Sequence, residues 1–512
     1  MIPVNHKVSI SIRDLNKIIE GKILESNQSK IDFSVSGASC RSEEVDSNTA
    51  FVAISGVKND GHIYIKDTIL RGCKVCIVED QSKVPKELIG ILVKDTRKSF
   101  SLLSQFFMTN PSRELSVIGI TGTNGKTTIN WLLFNLLNRI GLSCSFLGTL
   151  GYQVGDIRGD LGLTTPDALS IQQLLRLSVE KGLKASVLEV SSHALTQARV
   201  SEIDFDIAIY TNLTRDHLDY HGSFEEYREA KWKLFEILTK SSKSKTAAII
   251  NIDCETGREY FRRLSGKSLE LVSYGKESNA RIQILDMSQD FKGSTVNFKI
   301  DGESVKISSP FIGFHNAQNL AAVLGVALVN NFDFKNITEI LRTAPHVPGR
   351  LQSIPISSKF GIFVDYAHTP DALENVLKTL RPLVKNHLKV MFGCGGDRDK
   401  GKRPIMRKVS TKLADFVYLT SDNPRTEKAE MILADILKDA SDTELAQISV
   451  EVDRKEAILR AIKELLEGDV LLVAGKGHED YQIIGTTKQP FSDQDEILIA
   501  WEKVKKTNIS NC

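Results

Sequence analysis

The apolar run LSVIGI at 115–120 passes directly into TGTNGKTT at 121–128, and that into INWLLFNLLNRIG. This succession restricts the fold more than any other stretch of the chain. Residues 115–120 predict a buried strand, and Ile129, Leu132, Leu133, Leu136, Leu137 and Ile140 recur at helical spacing, with Gly141 placed as the C-cap. A glycine-rich turn thus joins a buried strand to an amphipathic helix. Gly122 and Gly125 let backbone amides turn towards phosphate oxygens, the helix dipole adds positive potential, Lys126 can neutralise terminal phosphates, and Thr127 can ligate magnesium. The strict G-x-x-x-x-G-K-[ST] pattern would need glycine at 120, where Ile120 stands. An ordinary glycine-rich turn is the competing reading, but the strand and helix on either side and the GKTT ending favour a phosphate loop.

The rest of the chain fits around that unit. Residues 1–110 mix short strand-like runs (TAFVAIS, KVCIVED, GILVKD) with modest helices and carry no cluster of catalytic residue types, as a binding or lid module would. In 111–343, LSVIGI, KASVLEV, FDIAIYTNL and TAAIINI alternate with helical patterns, the signature of a doubly wound α/β domain. In 344–512 the pattern returns with FGIFVDY, LKVMFGC, DFVYLTS and DVLLVAG, each running into a polar loop. The expected fold is therefore α/β in three domains: a smaller amino-terminal one, a central P-loop ATPase-like one, and a Rossmann-like carboxyl-terminal one. In such sheets ligands gather outside the carboxyl ends of the strands, where the unusual residues fall. The polar tail KVKKTNISNC is expected to fray.

Charge and cysteine content exclude several classes of function. With 66 basic against 64 acidic residues there is no global field for nucleic acid or an anionic membrane, so charged ligands must be held locally. Of seven cysteines only Cys73 and Cys76 form a C-x-x-C pair, inside the apolar LRGCKVCIVED, where a buried strand is favoured over a redox or half-zinc site. The amino-terminal MIPVNHKVSISIRDL has no continuous apolar segment, and no window approaches the roughly 18 apolar residues of a membrane span. A soluble cytoplasmic protein in a reducing compartment is expected.

Complementary groups lie at the ends of the next strands. Glu189 closes KASVLEV with His193 just beyond, and FDIAIYTNLTRDHLDYHG ends in Asp216, His217, Asp219 and His221. A strand-end Glu and a nearby His could each hold a magnesium ion bridging β- and γ-phosphates. His217 and His221 also raise zinc, but H-x-x-x-H without a partner glutamate is weak, and for His221 a structural role is favoured. In YREAKWKLF, Tyr227, Ala230, Leu234 and Phe235 are candidate core positions, which turns Lys231 inward. A snorkelling lysine is the plainer reading; the other is a buried lysine made anionic by carbamylation and able to bind magnesium. In the third section, DYAHTPDAL offers Asp365 and His368, GCGGDRDKGKR offers Arg398, Lys400, Lys402 and Arg403, and TSDNPRTE and AGKGHEDYQ follow later strands. Any one basic loop reads as solvated surface, but four after successive strands converge on one edge. There an arginine suits a carboxylate and Glu479 an amine.

Taken in order, TGTNGKTT, TTPDA, EVSSHAL, NLTRDHLDYHG, YREAKWKLF, HNAQN, PGR, DYAHTPDAL, GGDRDKGKR, SDNPR and GKGHEDYQ resemble the Mur ligase family over nearly the whole chain. They resemble most the branch that adds the third peptide residue to UDP-muramoyl precursors in bacterial cell-wall synthesis, whose phosphate loop is written TGTNGKTT. The resemblance implies ATP and Mg2+ chemistry through an acyl phosphate. It implies that Gly122, Thr123, Asn124, Gly125, Lys126, Thr127 and Thr128 cradle ATP, that Thr127, Glu189 and His217 serve the metal, and that Lys231 is an N6-carboxylysine. Asn316, Asn319, Arg350, Asp365 and His368 resemble the contacts to adenine, ribose and phosphate. Ser42, Thr164, Thr165, Ser191, Gln197 and Arg199 resemble those to the UDP-muramoyl peptide, UDP-MurNAc-L-Ala-D-Glu. The family's Asp-Ser-Arg signature aligns here with Arg41, Ser42 and Glu43, two charge reversals that could compensate as a local pair.

Asp422, Asn423, Pro424 and Arg425 resemble the version of the family that takes meso-diaminopimelate, its distal carboxylate pairing with the arginine, and Arg398, Gly475 and Glu479 match further contacts to that amino acid. L-lysine is the alternative within the same reaction. Folylpolyglutamate-type ligation, a plain phosphate-loop ATPase and a non-enzymatic binding relative are the alternatives outside it. Small-molecule partners, no nucleic acid, no membrane insertion and a monomer are expected.

Overall fold

The computed structural model describes residues 8–24, 32–56 and 59–510, with side chains through residue 506. Part of the amino-terminal stretch MIPVNHKVSISIRDL, residues 25–31, Val57 and Lys58, and the last two residues of the tail lie outside the described residues. The chain divides into two compact units, residues 1–283 with 318–336, and residues 284–317 with 337–512.

In the first unit all seven apolar runs form strands: Thr49–Val52, Val75–Val78, Ile89–Leu92, Ser116–Thr121, Ala185–Glu189, Ile207–Tyr210 and Ala247–Asn251. The first three, with Gly37–Ser39, make a parallel sheet edged by the antiparallel Lys22–Ile23. Cys76 lies fully buried on one of these strands and Cys73 is buried just ahead of it, and burial pushes the Cys76 thiol up to about 12. A buried strand, with no redox pair, is what the structure shows.

The larger sheet places Ser116–Thr121 at its centre, in the order Cys144–Gly148, Ala185–Glu189, Ser116–Thr121, Ile207–Tyr210, Ala247–Asn251, Glu270–Gly275. All these pairings are parallel. The chain leaves Ser116–Thr121 for Cys144–Gly148 on one side and later resumes at Ile207–Tyr210 on the other, so strand order reverses at Ser116–Thr121. A switch point of this kind opens a crevice at the carboxyl ends of the strands. The register sets Glu189 beside Ile120 and Tyr210 beside Thr121, which puts the glycine-rich turn, Glu189 and the segment 211–214 side by side.

In the second unit Gly361–Asp365, Val470–Ala474, Leu388–Phe392, Phe416–Leu419 and Ile448–Val450 form a parallel sheet in that order, edged by the antiparallel Gln352–Ser353. Successive side chains alternate between its faces. Phe363, Val390, Val417 and Leu472 enter one core, while Ile362, Val364, Met391, Tyr418, Leu471 and Val473 enter the other. Helices cover both faces, hence the unbroken apolar runs. The tail does not fray where it is described: the last helix runs Asp493–Ser510. Among the described residues no helix is long and apolar enough to cross a membrane.

Candidate active site

The turn after Ser116–Thr121 is shaped by two glycines and braced from the neighbouring strand. Gly122 has φ +147°, and a Cβ there would stand 1.8 Å from Thr211 Oγ1. Gly125 has φ +89°, and its Cβ would stand 2.5 Å from Asn319 Oδ1. Only glycine fits such a close approach in these conformations. The Thr123 amide donates to Asn212 O (2.9 Å), the Asn124 amide to Asn212 Oδ1 (2.9 Å), and Thr211 Oγ1 to Asn124 O (2.6 Å). Gly125 then opens the helix Lys126–Arg139, with Gly141 just past its end at φ +89°. Thr128 is buried in the first turn of that helix.

Glu189 is 1% exposed and receives Thr127 Oγ1 (3.0 Å), the Thr149 amide (2.9 Å) and Thr149 Oγ1 (3.0 Å). A carboxylate and a hydroxyl are thereby paired at the mouth of the phosphate loop, the oxygen chemistry a hard divalent cation takes. Thr149, which the sequence reading missed, sits on the turn after Cys144–Gly148, and only sheet order brings it to Glu189.

Two lysines meet at one oxygen. Lys126 Nζ donates to Gly122 O and Thr123 O, both at 2.9 Å, and Lys231 Nζ donates to the same Gly122 O at 2.8 Å. Lys231 is 1% exposed on the helix Phe224–Thr239, over the ring of Tyr227. Burial, with the Lys126 charge second, holds its amine well below the usual lysine range. The snorkelling reading is therefore overturned, because the side chain is enclosed.

His217 caps the short helix Leu218–His221 at φ +51°, and its side chain is 49% exposed. Its ring lies 4.9 Å from that of His193, centroid to centroid. His221 is buried with Nε2 2.9 Å from Ser192 Oγ, a structural placement. Burial and the neighbouring His193 and Lys231 push it down to about 4. No three His, Cys, Asp or Glu side chains among the described residues form a protein-only metal cluster, and the zinc reading of His217 and His221 has no geometric support.

A hydrogen-bonded path leads from Glu189 to a cavity of about 750 Å³. Thr165 Oγ1 donates to Glu189 O (2.8 Å) and accepts the Ser191 amide (3.0 Å), Arg199 donates to Thr165 O (2.6 Å), and Gln197 holds Arg199 at 2.7 Å. Thr164 Oγ1 lies 3.2 Å from Thr149 Oγ1. Gln197 and Arg199 line the cavity together with Arg41, Glu44, Arg97 and Asp167, whereas Ser42 stands on a half-buried turn outside its lining. Arg41 does not pair with Glu43. It bonds Glu44 (2.8 Å) and Asp167 (2.5 Å), because the short 3-10 turn Ser42–Glu44 brings residue 44 back under residue 41. Asp167, 126 residues away in sequence, was not legible as a partner.

Asn319, on the helix Phe314–Val329, is buried against Gly125 in the first unit. In the second unit, Asn316 Nδ2 donates to Ile312 O (2.8 Å). Asp365 accepts the amides of Leu351 (2.7 Å) and Ala367 (2.8 Å), and burial raises its carboxyl against the opposing charge of Arg350. The Arg350 guanidinium lies 5.3 Å from the Tyr366 ring centroid, its Nε buried without a hydrogen-bond partner. His368 is exposed, with Nδ1 2.8 Å from Tyr366 O.

The adjacent strands Val470–Ala474, Leu388–Phe392 and Phe416–Leu419 deliver the remaining loops to one edge of the second sheet. Asp422 and Asn423 are buried, and Pro424 with them. Gly475, at φ +111°, lies so close that a Cβ would stand 2.5 Å from Asp422 Oδ2. Burial raises the Asp422 carboxyl, opposed by Arg454 and Lys476. Asn423 Nδ2 donates to Glu479 Oε2 at 2.8 Å. Arg425, at φ +52°, donates from Nη1 to Gly396 O (2.8 Å) and from its amide to Ile483 O (3.0 Å). Arg398 is exposed on the glycine-rich loop. Arg403, read above as part of a solvated basic loop, is fully buried and ion-paired with Glu427 (2.8 Å) and Asp435 (2.7 Å), so it holds the loop from beneath.

Comparison with known proteins agrees with this layout. The Mur ligase middle domain matches residues 120–327, and the glutamate ligase domain of Mur ligases matches residues 349–477. The UDP-N-acetylmuramoyl-L-alanyl-D-glutamate--2,6-diaminopimelate ligase of Aquifex aeolicus is 41% identical over 461 residues, 90% of this chain and 92% of that protein. Its namesake in Syntrophomonas wolfei is 37% identical over 480 residues, 94% and 97% of the two chains. A solved structure of a ligase of the same name superposes with a TM-score of 0.71 at 32% identity, covering 97% of this chain and 99% of the other. The ADP complex of the Thermotoga maritima MurF ligase, 19% identical at a TM-score of 0.59 over 92% and 98% of the two chains, shares the fold. With both domains matched in order and relatives aligned over nearly its whole length, the chain belongs to the Mur ligase family.

Proposed function

We infer that this chain is an ATP-dependent ligase that joins meso-2,6-diaminopimelate to the D-glutamate γ-carboxylate of UDP-N-acetylmuramoyl-L-alanyl-D-glutamate in peptidoglycan synthesis. The relatives that carry this name align over nearly the full chain. The observation that carries the reading into this chain is the phosphate loop with Thr127 hydrogen-bonded to a buried Glu189, itself tied through Thr165 and Arg199 to the large cavity.

The roles follow from the chemistry of each group. Loop amides and Lys126 hold the ATP phosphates, for which Lys126 must give up the carbonyls of Gly122 and Thr123. Thr127 and Glu189 would hold Mg2+, with His217 of the neighbouring loop as the further ligand, and the ion would supply charge neutralisation at the phosphate oxygens. Burial disfavours the charged form of Lys231, and the neutral amine is the form that adds carbon dioxide. The N–C bond forms, one N–H proton leaves, and the carbamate anion would give the neighbouring Lys126 charge an opposite partner. The γ-carboxylate then attacks the terminal phosphorus, giving an acyl phosphate and ADP. The amine of diaminopimelate attacks the acyl carbon, and phosphate departs from the tetrahedral adduct. The cavity lined by Arg41, Arg97, Gln197 and Arg199 suits the anionic UDP-muramoyl peptide, with Ser42, Thr164, Thr165 and Ser191 along its approach. Asn316, Asn319, Arg350, Asp365 and His368 are assigned to the nucleotide.

Arg425 suits the distal carboxylate of diaminopimelate, with Arg398, Asp422, Asn423, Pro424, Gly475 and Glu479 around the rest. L-lysine lacks that carboxylate, which leaves the guanidinium without a partner. A three-domain division at 1–110, 111–343 and 344–512 is part of this reading; its first boundary is supported by distinct cores for the amino-terminal and central sheets, although Ala168 packs into the amino-terminal one. Operation as a cytoplasmic bacterial monomer on small-molecule substrates belongs to the same reading. Phosphate release tests it: release should require ATP, the muramoyl dipeptide and diaminopimelate together. Equal release from ATP alone would make the chain a plain ATPase.

A further inference from the structure

Beneath the loops assigned to the amino acid lies a charged group that those roles do not use. Lys476 follows the strand Val470–Ala474 and is fully buried, an ammonium in a place where it must be compensated. Its Nζ lies 3.2 Å from Asn423 Oδ1 and 3.1 Å from Glu479 Oε2. Asn423 Oδ1 also accepts the Ile483 amide at 2.9 Å. Two donors on that oxygen fix which way the amide faces, and its Nδ2 is thereby aimed at Glu479 Oε2, 2.8 Å away.

Both bonds to Glu479 fall on Oε2. The carboxylate is thus clamped along one edge, and its other oxygen, Oε1, is left to accept from a ligand. Around the buried Asp422 stand the cations Arg454 and Lys476 and the carboxylates Glu479 and Asp493. Arg454 is bound to Asp493 through two 2.7 Å bonds and reaches Ala474 O at 3.0 Å, so it secures the base of the same loops. A substrate ammonium at Oε1 would meet a carboxylate whose other oxygen is already held by Lys476 and Asn423.

We propose that Lys476 is a positioning residue for the incoming amino acid: its buried ammonium orients Asn423 and Glu479 so that Glu479 Oε1 receives a substrate amine. This rests on the function inferred above. The test is steady-state kinetics on the full chain with Lys476→Met, Lys476→Arg, Glu479→Gln and the Lys476→Met/Glu479→Gln double variant, with thermal melts of each. The expected result for Lys476→Met is a KM for diaminopimelate raised about tenfold to a hundredfold, the loss of one hydrogen-bonded charge. KM for ATP should stay within about twofold, Lys476→Arg should recover part of the loss, and the double variant should be no worse than the more impaired single variant. An unchanged KM for diaminopimelate in Lys476→Met overturns the proposal. So do equal losses for all substrates, or additive losses in the double variant. Should Lys476→Met not fold, Glu479→Gln with a diaminopimelate KM equal to wild type overturns it as well. A wild-type chain that ignores diaminopimelate would instead refute the inferred function, which keeps the two failures distinct.

Discussion

Replacing Lys231 with methionine should stabilise the fold and abolish ligation. The Lys231 amine is 1% exposed, and Gly122 O, which it binds, is also bound by Lys126 at 2.9 Å. Removing Lys231 therefore strands no acceptor, and methionine keeps most of the stem packed against Tyr227. Burying a polar group with incomplete compensation costs about 1–3 kcal/mol in mutational data, so the variant should gain roughly that. At roughly 2–4 °C per kcal/mol for a domain of about 150–250 residues, Tm should rise by about 2–12 °C. The pH dependence follows from the lowered amine. Between its folded pKa and the ordinary 10.5, the unfolded chain holds a proton that the folded chain does not, so wild-type stability rises with pH there. The methionine variant lacks this contribution, and its advantage should shrink as pH climbs towards 10.5. Calorimetry in carbon-dioxide-free buffer at neutral and alkaline pH measures this, and added bicarbonate should raise the Tm of wild type alone. A variant that melts below wild type at neutral pH, or that still ligates, would refute the reasoning.

Gly122→Ala would set a methyl 1.8 Å from Thr211 Oγ1 at φ +147°; titration with a non-hydrolysable ATP analogue should show affinity lowered about fivefold to 150-fold, given roughly 1–3 kcal/mol of strain. Arg425→Lys keeps the same strained backbone and changes only the head group, so a rise of about tenfold in KM for diaminopimelate, with KM for ATP unmoved, would report the lost guanidinium fork. Arg454→Met leaves Asp493 buried and unpaired at 0% exposure, and denaturant melts should show a loss of about 3–5 kcal/mol, which pairing with Asp493→Leu should largely restore.

Much of the fold was legible because buried parallel strands are written as unbroken apolar runs, and every run singled out became a strand of one of three sheets. The phosphate loop was legible because glycine and lysine occur there in a fixed local order. Depth was harder to read. Lys231 and Arg403 lie on amphipathic helices, and the pattern says which way a side chain turns, not whether a partner awaits it. Arg41 with Asp167, and Glu189 with Thr149, are joined only by the tertiary fold, so no local signal marks them. For Lys476 the only local signal was a lysine three residues before a glutamate, directly after a fully buried strand, and that spacing does not say which of the two is buried.

The central claim is tested most directly by identifying the product. The chain should be incubated with ATP, Mg2+, UDP-N-acetylmuramoyl-L-alanyl-D-glutamate and a panel of amino acids that includes meso-diaminopimelate and L-lysine, and the muramoyl product weighed. The account predicts one new species, heavier by a single diaminopimelate residue and formed with one ADP and one phosphate per amide. Incorporation of lysine in preference, or ATP consumption with the muramoyl dipeptide unchanged, would contradict it.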